Sequence, residues 1–594
     1  MKNGQPVLLF FAAILLYFNS TKNQFVLDDV SAISENRIVQ KGTDGLSEIF
    51  ITHYRAGYWA APGDLYRPLV LASFAIEYGI SPNSPSLHHW INILTYGVLV
   101  LLLYYLSQIW FGKDSLLPFF IAVLFVFHPI HTEVVANIKS RDELYGLTFG
   151  LVTLIGASLY FKNCKPTSLI LMIVSFLLAL LSKESSIVFL LIVPLTGYSF
   201  FDASKKEILK TAGFLLAPIL LFLVLRSNAL ANQNETIPTA ISVFSGNVLE
   251  TYLKAGYHLM LYLWKLVIPF PLSSQYPEYF TGLPTYVKAI GAIGLIFHAW
   301  LLYFGVKQLL KKQVLGFVIL FYLITSALHS NIFITIGTQF GERLLFVPSV
   351  AFAIIVGMVI HKTPALEKLK YPVLGLLLFA YTFLVIPRNK EWYSNFSLYE
   401  ADVQKQPNSA MLNYWYALEL SNSKYLNTLN DNSRTKSLHE ALIYLDAANK
   451  LKPEYAECLS QIGLVYYKLG DQNKALPYYE QSLAIGKGSV SVLNNVAAIY
   501  FGKQNFVKAR NYYEQALLID PYYKDAWGNL GITYAQLGDF NNAQRAFSKA
   551  IELSPKNAQF YFYMGMTLNQ LSQENDAQAY FEKAFELDPN LKNQ

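Results

Sequence analysis

Charged residues are scarce in this chain. Of its 594 residues, 14% are Asp, Glu, Lys or Arg, whereas a soluble domain carries roughly 25%. The net charge of +6 is small for this length, so nucleic acid is not indicated as a partner. The two cysteines, Cys164 and Cys458, are too few for a disulfide framework or a cysteine metal cluster. These deficits exclude an ordinary soluble enzyme for most of the chain.

Several catalytic signatures are also missing. The sequence contains no glycine-rich phosphate loop of the P-loop type, no HExxH helix of a zinc protease and no GxSxG nucleophile elbow. Each of these motifs is needed by a large class of enzymes that hydrolyse nucleotides, peptides or esters. An ATP-driven or hydrolytic enzyme is therefore disfavoured.

Long apolar runs are present instead. Apolar residues make up 53% of the chain, and up to Pro387 they form stretches of about 15 to 22 residues, the length at which a helix crosses a bilayer. We predict an all-α, polytopic membrane domain over residues 1–387 with about eleven spans. The first run is taken as an anchor, with a cleaved signal peptide as the alternative. The predicted spans are Pro6–Phe18, Trp90–Leu106, Leu116–His128, Leu144–Phe161, Thr167–Leu181, Ser185–Phe201, Ile208–Leu225, Tyr286–Phe304, Val314–Leu328, Leu344–Ile360 and Pro372–Pro387.

Basic residues predict the orientation of these spans. If Lys2 is cytoplasmic, the alternation of spans also places Lys113, Lys205 and Lys307 on the cytoplasmic side. This scheme requires that segment 248–271, which mixes apolar and ionisable residues, is an interfacial or re-entrant helix. The loop 19–89 and the carboxyl-terminal region then lie on the outer face.

Residues 388–594 have the composition of a soluble domain and repeat internally. The same pattern begins at Ala456, Val490, Lys524 and Ala558, a period of 34 residues, which is typical of the two-helix tetratricopeptide repeat. We predict an α-solenoid whose groove binds peptide or protein, with a purely structural role as the alternative. The predicted repeats are 456–489, 490–523, 524–557 and 558–591, after a degenerate unit at about 398–455.

Polar residues gather on the predicted outer face. Asp28 and Asp29 follow the first span, and paired carboxylates beside a membrane are candidates for general-base work or cation binding, with a solvated turn as the alternative. His128, His131 and Glu133 end the third span and could bind a metal or merely satisfy backbone groups. Arg343 and Lys183 suit an anionic head group, with snorkelling interface cations as the alternative. The other candidates on this face are Arg67, Arg141, Glu184 and Glu342.

Five motifs occur in order along the chain. They are Asp28-Asp29, Tyr66-Arg67-Pro68-Leu69, His128-Pro129-Ile130-His131-Thr132-Glu133, Ser182-Lys183-Glu184 and Glu342-Arg343-Leu344. Together with the repeat tail, these motifs resemble the transmembrane and tetratricopeptide-repeat protein O-mannosyltransferases, which are type C glycosyltransferases (GT-C). The resemblance implies transfer of mannose from a polyprenyl-phosphate donor to Ser or Thr hydroxyls of proteins, with inversion at the anomeric carbon. The tail is shorter than in many members, so the choice of acceptor is not implied.

The resemblance gives the candidate residues their expected roles. Asp28, assisted by Asp29, is expected to act as the general base on the acceptor hydroxyl. Cations are expected to stabilise the leaving phosphate, and the remaining polar residues to orient donor or acceptor. The cations are Arg343 and Lys183, with Arg67 or Arg141; the orienting residues are His128, His131 and Glu133, and Glu184 and Glu342 are further substrate-binding candidates.

The expected partners are a polyprenyl-phosphate sugar, an acceptor protein or peptide, and membrane lipid. No cofactor is predicted, and a divalent cation stays open. We predict a bacterial inner membrane with periplasmic repeats, the alternative being the endoplasmic reticulum membrane with lumenal repeats. Two other functions stay open: a GT-C enzyme that modifies an envelope glycan or lipid or transfers an oligosaccharide, and a non-enzymatic membrane scaffold.

Overall fold

The computed structural model describes residues 4–58, 63–231, 248–280, 282–333, 340–486 and 489–593. This described part consists of α-helices with short 3-10 and π turns and contains no β-strand, which confirms the predicted all-α class. By its internal packing the chain divides into two compact units, Met1–Pro407 and Asn408–Gln594.

The first unit is a bundle of apolar helices around one large buried core. Its helices are α1 Gln5–Tyr17, α2 Leu46–Ile51, α3 Pro68–Ile80, α4 Pro85–Phe111, α5 Leu117–Phe127, α6 Thr132–Ala136, α7 Arg141–Asn163, α8 Pro166–Ser182, α9 Phe189–Phe200, α10 Lys205–Ala231, α11 Val248–Val267, α12 Thr285–Leu310, α13 Val314–Ala327, α14 Ser349–Lys362, α15 Lys370–Glu391 and α16 Asn395–Lys405.

Several of these helices are long and apolar enough to cross a membrane. Among the described residues there are five, or six if α5 and the segment Pro129–Ala136, bent by 52°, form one span. The predicted spans that coincide with α8, α9, α13 and α14 are shorter apolar helices. The structure thus supports a membrane protein, while the count of about eleven spans stays a prediction. The five long candidates are Pro85–Phe111, Ile138–Asn163, Lys205–Ala231, Thr285–Leu310 and Lys370–Glu391.

The segment expected to be interfacial or re-entrant forms α11 and packs closely against α12. A Cβ atom added at Gly256 would lie 2.2 Å from the carbonyl oxygen of Gly291, and one added at Gly294 would lie 2.2 Å from that of Gly256. Small residues therefore let the two backbones approach, as is usual where helices pack in membranes. Whether α11 crosses the bilayer stays a prediction.

The predicted outer loop, residues 19–89, is a folded substructure. It contains a π-helical turn, Val30–Ser34, as well as α2 and α3. Ile33, Val39 and Phe74 are fully buried in a small core of their own that holds this region together. The polar residues of the loop are therefore carried on a packed scaffold.

The second unit is a row of helix pairs. The predicted repeat starts at Ala456, Val490, Lys524 and Ala558 coincide with the first residues of four helices, because the repeat pattern encodes both the helix start and its packing face. The polar insertion in the degenerate unit contains a short helix. The helices are α17 Ala410–Ser421, α18 Ser423–Leu426, α19 Asp431–Leu451, α20 Ala456–Lys468, α21 Gln472–Ile485, α22 Val490–Gly502, α23 Phe506–Ile519, α24 Lys524–Gln536, α25 Phe540–Leu553, α26 Ala558–Gln570 and α27 Glu574–Leu587.

In the repeats that contain this pair of residues, a glycine on the first helix faces an aromatic ring on the second. A Cβ atom added at Gly531 would lie 2.7 Å from the Phe547 ring, so a larger residue could not pack there. Neighbouring repeats are also joined by hydrogen bonds. The hydroxyl of Tyr500 donates to Glu480 at 2.8 Å, and that of Tyr534 donates to Glu514 at 2.6 Å.

Candidate functional site

The two adjacent carboxylates of the predicted outer loop have different environments. Asp29 is fully buried, and its oxygens accept the backbone N–H groups of Val26 at 2.9 Å and Lys139 at 2.7 Å. Asp28 is 40% exposed and forms an ion pair with Arg55 at 3.0 Å. Asp28 is therefore the carboxylate that a substrate can reach, while Asp29 ties this turn to the start of α7.

Burial sets the protonation of Asp29. It raises the pKa of the Asp29 carboxyl to about 7, against the opposing effect of the two backbone hydrogen bonds. Because both oxygens already accept hydrogen bonds, Asp29 can assist the site by fixing the position of its neighbour.

The local backbone explains why Asp28 points away from the core. Leu27 lies in the left-handed region with φ of +53°, and its N–H donates to the Asn395 side chain at 2.8 Å. The backbone carbonyl of Asp28 accepts from Ala32 N–H at 3.0 Å, at the start of the π-helical turn. A residue other than glycine adopts positive φ only where the surroundings hold it there.

Arg67 joins two carboxylates from different helices. Its Nε donates to Glu184 at 2.9 Å, and its Nη1 forms a short contact with Asp142. The other oxygen of Glu184 accepts the backbone N–H of Tyr66 at 3.1 Å. Glu184 therefore orients Arg67 in two ways, by binding its side chain and by binding the backbone N–H of the preceding residue, Tyr66.

Two lysines lie beside adjacent carboxylates at the start of α7. Lys139 Nζ is 3.3 Å from Asp142, and Lys183 Nζ forms a short contact with Glu143. Burial lowers the pKa of Lys183 to about 7; Asp142 opposes this shift, and the positive charges of Arg67 and the other cations add to it. Lys183 is thus a cation whose charge is sensitive to pH near neutrality.

Arg343 is bound by Glu133. The carboxylate accepts the Arg343 backbone N–H at 2.9 Å and its Nη1 at 2.8 Å. Although burial opposes it, the negative charges of Glu133, Asp28 and Asp142 raise the pKa of Arg343 above its usual value. Asp28 therefore lies close enough to Arg343 to act on it electrostatically.

Together these side chains form one charged cluster, which we call the outer cluster. Its members come from loop 19–89, from α6, from α7 and the turn before it, and from the turns before α9 and α14. Only the tertiary fold therefore brings them together. The cations are Arg55, Arg67, Lys139, Lys183 and Arg343, and the carboxylates are Asp28, Glu133, Asp142, Glu143 and Glu184.

The structure places His128 and His131 inside the helix bundle. His128 accepts from Ile130 N–H at 3.2 Å and contacts the Leu266 carbonyl at 2.9 Å. The ring nitrogens of His131 contact Tyr96 Oη and Ser349 Oγ, each at 2.8 Å. Every ring nitrogen of the pair has a protein partner, and these contacts join the bent α5–α6 segment to α4, α11 and α14.

Arg141 belongs to a separate buried cluster. It is fully buried, donates to Asn92 at 2.7 Å and to the His88 carbonyl at 2.9 Å, and forms a short contact with Glu77. These bonds direct its guanidinium away from the outer cluster. We therefore leave Arg141 out of the proposed phosphate-binding set.

Glu342 adjoins Arg343 in sequence but faces a different region. It is fully buried, and one of its oxygens accepts from Ser273 N–H at 2.6 Å and from Tyr276 Oη at 2.5 Å. Burial raises the pKa of Glu342 to about 7. Its contacts fix the loop after α11 beside the turn that carries Arg343.

A divalent cation would need several ligands of its own. Within the described ranges, no group of three or more His, Cys, Asp or Glu side chains is placed to hold a metal ion. The carboxylates of the outer cluster face arginine and lysine partners, which supply the positive charge that such an ion would contribute.

Sequence reasoning missed four members of the outer cluster, which are Lys139, Asp142 and Glu143 around the start of α7, and Arg55. Arg55 is the hardest of them to predict. It lies in the chain between α2 and α3, outside every motif used above, and no spacing relates it to Asp28. An arginine close to an acidic pair in one outer loop is a weak signal, and only the folded loop brings the two side chains together.

Two cavities lie near Lys183 and share one lining residue. A small crevice is lined by Glu143, Lys183 and His329, and Val188 lines both this crevice and a larger cavity. The larger cavity has a volume of 540 Å³ and is lined almost entirely by aliphatic side chains of α9, α12 and α13. A charged crevice thus adjoins an apolar space large enough for part of a lipid chain.

Family models described as tetratricopeptide repeat match residues 456–487, 497–567 and 558–591. The chain is also similar to the "Crystal structure of MamA", with 23% identity over 28% of this chain and 96% of that one, at a TM-score of 0.26.

Two relatives cover most of this chain. One is named protein O-mannosyl-transferase F38B6.6, from Caenorhabditis elegans, and is 26% identical over 461 residues, 76% of this chain and 63% of the relative. Another is named protein O-mannosyl-transferase TMTC3, from Mus musculus, and is 24% identical over 514 residues, 78% of this chain and 53% of the relative. The chain therefore spans less than two thirds of the length of these relatives.

Proposed function

We propose that this chain, a homologue of the protein O-mannosyl-transferases of the TMTC family, is a membrane glycosyltransferase that transfers mannose to Ser or Thr hydroxyls of proteins. The observation that carries the proposal is the half-exposed carboxylate of Asp28 within a cluster of buried and half-buried cations. A hydroxyl is a poor nucleophile at neutral pH, so transfer to it needs a positioned base.

Asp28 is the proposed base. As the acceptor oxygen attacks the anomeric carbon, the hydroxyl proton passes to Asp28 and the bond from that carbon to the phosphate oxygen breaks. Attack opposite the leaving group inverts the anomeric carbon. Arg55 orients the carboxylate through its ion pair, and Asp29 fixes the backbone on which that carboxylate stands.

The proposed donor is a polyprenyl-phosphate sugar. Its leaving phosphate gains negative charge, which Arg343, Lys183 and Arg67 would stabilise. The apolar cavity and the crevice at Lys183 share Val188, so a lipid chain held in that cavity would lie near this lysine. We place the outer cluster and the repeats on the outer face, which is periplasmic in a bacterial inner membrane or lumenal in the endoplasmic reticulum.

The base is tested by replacing it without changing its shape. Purified protein in detergent is given a radiolabelled polyprenyl-phosphate mannose and a Ser/Thr peptide, with and without a chelator. Asp28→Asn is expected to lower transfer by about a hundredfold or more, the contribution of a general base. Asp44→Asn, at an exposed position of the same loop, is the matched control.

Undiminished transfer by Asp28→Asn would remove Asp28 from this role. Transfer of another sugar, or of mannose to a lipid or glycan but not to peptide, would instead favour a GT-C enzyme with a different product. Loss of transfer with chelator would assign a cation to the reaction.

A further inference from the structure

The hydroxyl group of Tyr54 has no hydrogen-bond partner among the described residues. The side chain is only 2% exposed, and the backbone N–H of Tyr54 donates to the Leu65 carbonyl at 2.8 Å. By contrast, the hydroxyl of Tyr66 in the same loop donates to the Phe50 carbonyl at 2.8 Å. Burying a hydroxyl without a partner costs free energy, so buried tyrosines usually have one. Folding alone therefore does not explain the Tyr54 hydroxyl.

Two ion pairs of the outer cluster lie close to this hydroxyl. The Arg67 guanidinium, which pairs with Asp142, is 6.0 Å from the centre of the Tyr54 ring. Arg55, the next residue in the chain, pairs with Asp28. Burial raises the pKa of Tyr54, and the charges of Asp142 and Asp28 add to this shift, whereas those of the two arginines oppose it. The hydroxyl thus stays protonated, within electrostatic reach of both pairs.

The two ion pairs differ in exposure. The side chains of Asp28 and Arg55 are 40% and 31% exposed, whereas those of Asp142 and Arg67 are 1% and 11% exposed. A ligand that reaches Tyr54 from outside therefore passes the Asp28–Arg55 pair. The side chains of this pair can shift, as interface side chains commonly do on binding. Such a ligand comes to lie beside the proposed base and close to Arg67.

A sugar suits this position. A tyrosine hydroxyl and a sugar hydroxyl can each donate and accept a hydrogen bond, and neither carries a charge that would disturb the ion pairs. In the proposed reaction the anomeric carbon lies between the acceptor oxygen, next to Asp28, and the phosphate, next to the cations. Because the Tyr54 hydroxyl is near both Asp28 and Arg67, the sugar ring is the part of the donor that it would contact.

We propose that the Tyr54 hydroxyl forms a hydrogen bond with a hydroxyl of the sugar on the polyprenyl-phosphate donor. The position of the sugar rests on the proposed function, since Asp28 as the base and Arg67 as a phosphate ligand determine it. The bonded sugar hydroxyl does not react, so the bond is present in the bound donor as well as in the transition state. Tyr54 therefore strengthens donor binding without speeding the chemical step.

The test compares the wild type with Tyr54→Phe, which removes only the hydroxyl. Radiolabelled polyprenyl-phosphate mannose and polyprenyl phosphate are bound to the full chain in detergent, and binding is followed by scintillation proximity. The variant is expected to bind the mannosyl lipid about three- to tenfold more weakly, the contribution of one hydrogen bond, and the sugar-free lipid equally well. In transfer assays the KM for the donor should rise by a similar factor while kcat is unchanged.

The matched control is Tyr78→Phe near the end of α3. The hydroxyl of Tyr78 bonds to Asn83 at 3.2 Å, and about 16 Å of helix separates this position from Arg67. The control should bind both lipids as the wild type does.

Mannosyl lipids that each lack one sugar hydroxyl identify the bond. The lipid without the bonded hydroxyl should bind to the wild type about three- to tenfold more weakly than the complete donor, and Tyr54→Phe should not weaken it further. For the other deoxy lipids the effect of Tyr54→Phe should persist. Such a cycle isolates the interaction between the two hydroxyls.

Thermal melts without lipid show whether the variant is folded. Because the Tyr54 hydroxyl has no partner among the described residues, Tyr54→Phe should melt at the same temperature as the wild type or higher. A lower melting temperature, equal binding of the mannosyl lipid, or an equal loss for both lipids would overturn the role of Tyr54 and leave the proposed function standing. A wild type that binds and transfers only another sugar counts against mannose alone, and the same comparison with that sugar decides on Tyr54. A wild type that binds no polyprenyl-phosphate sugar would overturn both.

Discussion

At the scale of single residues, two neighbours in sequence differ in their exposure and in their roles. Asp28 and Asp29 are equivalent in the sequence, yet one carboxylate is accessible and the other accepts two backbone N–H groups in the interior. Burial depends on where the chain turns, and the turn at Leu27 is held by Asn395, far away in sequence. The sequence could therefore identify the acidic pair but could not assign roles within it.

The sequence could not predict the partner of Arg343 either. Glu133 and Arg343 are 210 residues apart, and each belongs to a motif that suggested a function of its own. Their mutual bonds become visible only when α6 and the turn before α14 are packed together. The position of His128 could be predicted in part. The residue before a proline avoids helical backbone, and α5 does end just before His128.

Lys183 provides a prediction about pH. Burial lowers its pKa to about 7, so its positive charge is lost as the pH rises through neutrality. If this charge stabilises the leaving phosphate, kcat/KM should fall as the pH is raised above about 7. Lys183→Arg should move this decline to higher pH, because a guanidinium stays protonated. An identical alkaline decline in the wild type and the variant would show that another group causes it.

At the scale of elements, the repeats were predictable and the membrane helices only in part. Each repeat contains its own helix start, small residue and aromatic partner within 34 residues, so local sequence determines the result. The apolar runs predict helices but not their exact lengths, since tertiary packing sets where each one bends or ends. The close approach of α11 and α12 had a sequence signal in Gly256, Gly291 and Gly294, which composition alone does not show.

This helix pair provides a prediction about stability. Gly256→Ala places a Cβ atom against the α12 backbone and is expected to lower the free energy of unfolding by about 1–3 kcal/mol, the usual cost of overpacking. The control is Gly213→Ala in α10, where a Cβ would meet no atom within 4 Å. There alanine should be neutral or slightly stabilising. Thermal melts in detergent compare the two variants, and equal melting temperatures would contradict the close packing.

At the scale of the whole molecule, the chain has two units with separate cores. A repeat unit is stabilised mainly by its immediate neighbours. We therefore expect residues 408–594, expressed alone, to form a helical and cooperatively melting domain. Circular dichroism with a thermal scan checks this, and a disordered fragment would show that the repeats need the first unit to fold.

The pairing of charges in the outer cluster bears on how a catalytic cycle could end. In the proposed reaction the donor is a phosphodiester with one negative charge, whereas the spent carrier is a monoester with a charge of about −1.5 to −2 at pH 7. Bare cations would hold this product more tightly than the substrate and stall the enzyme. Glu133, Glu143 and Glu184 stand beside the same arginines and lysine, and they compete with the spent carrier for them. Turnover would then depend on these acids as much as on the base.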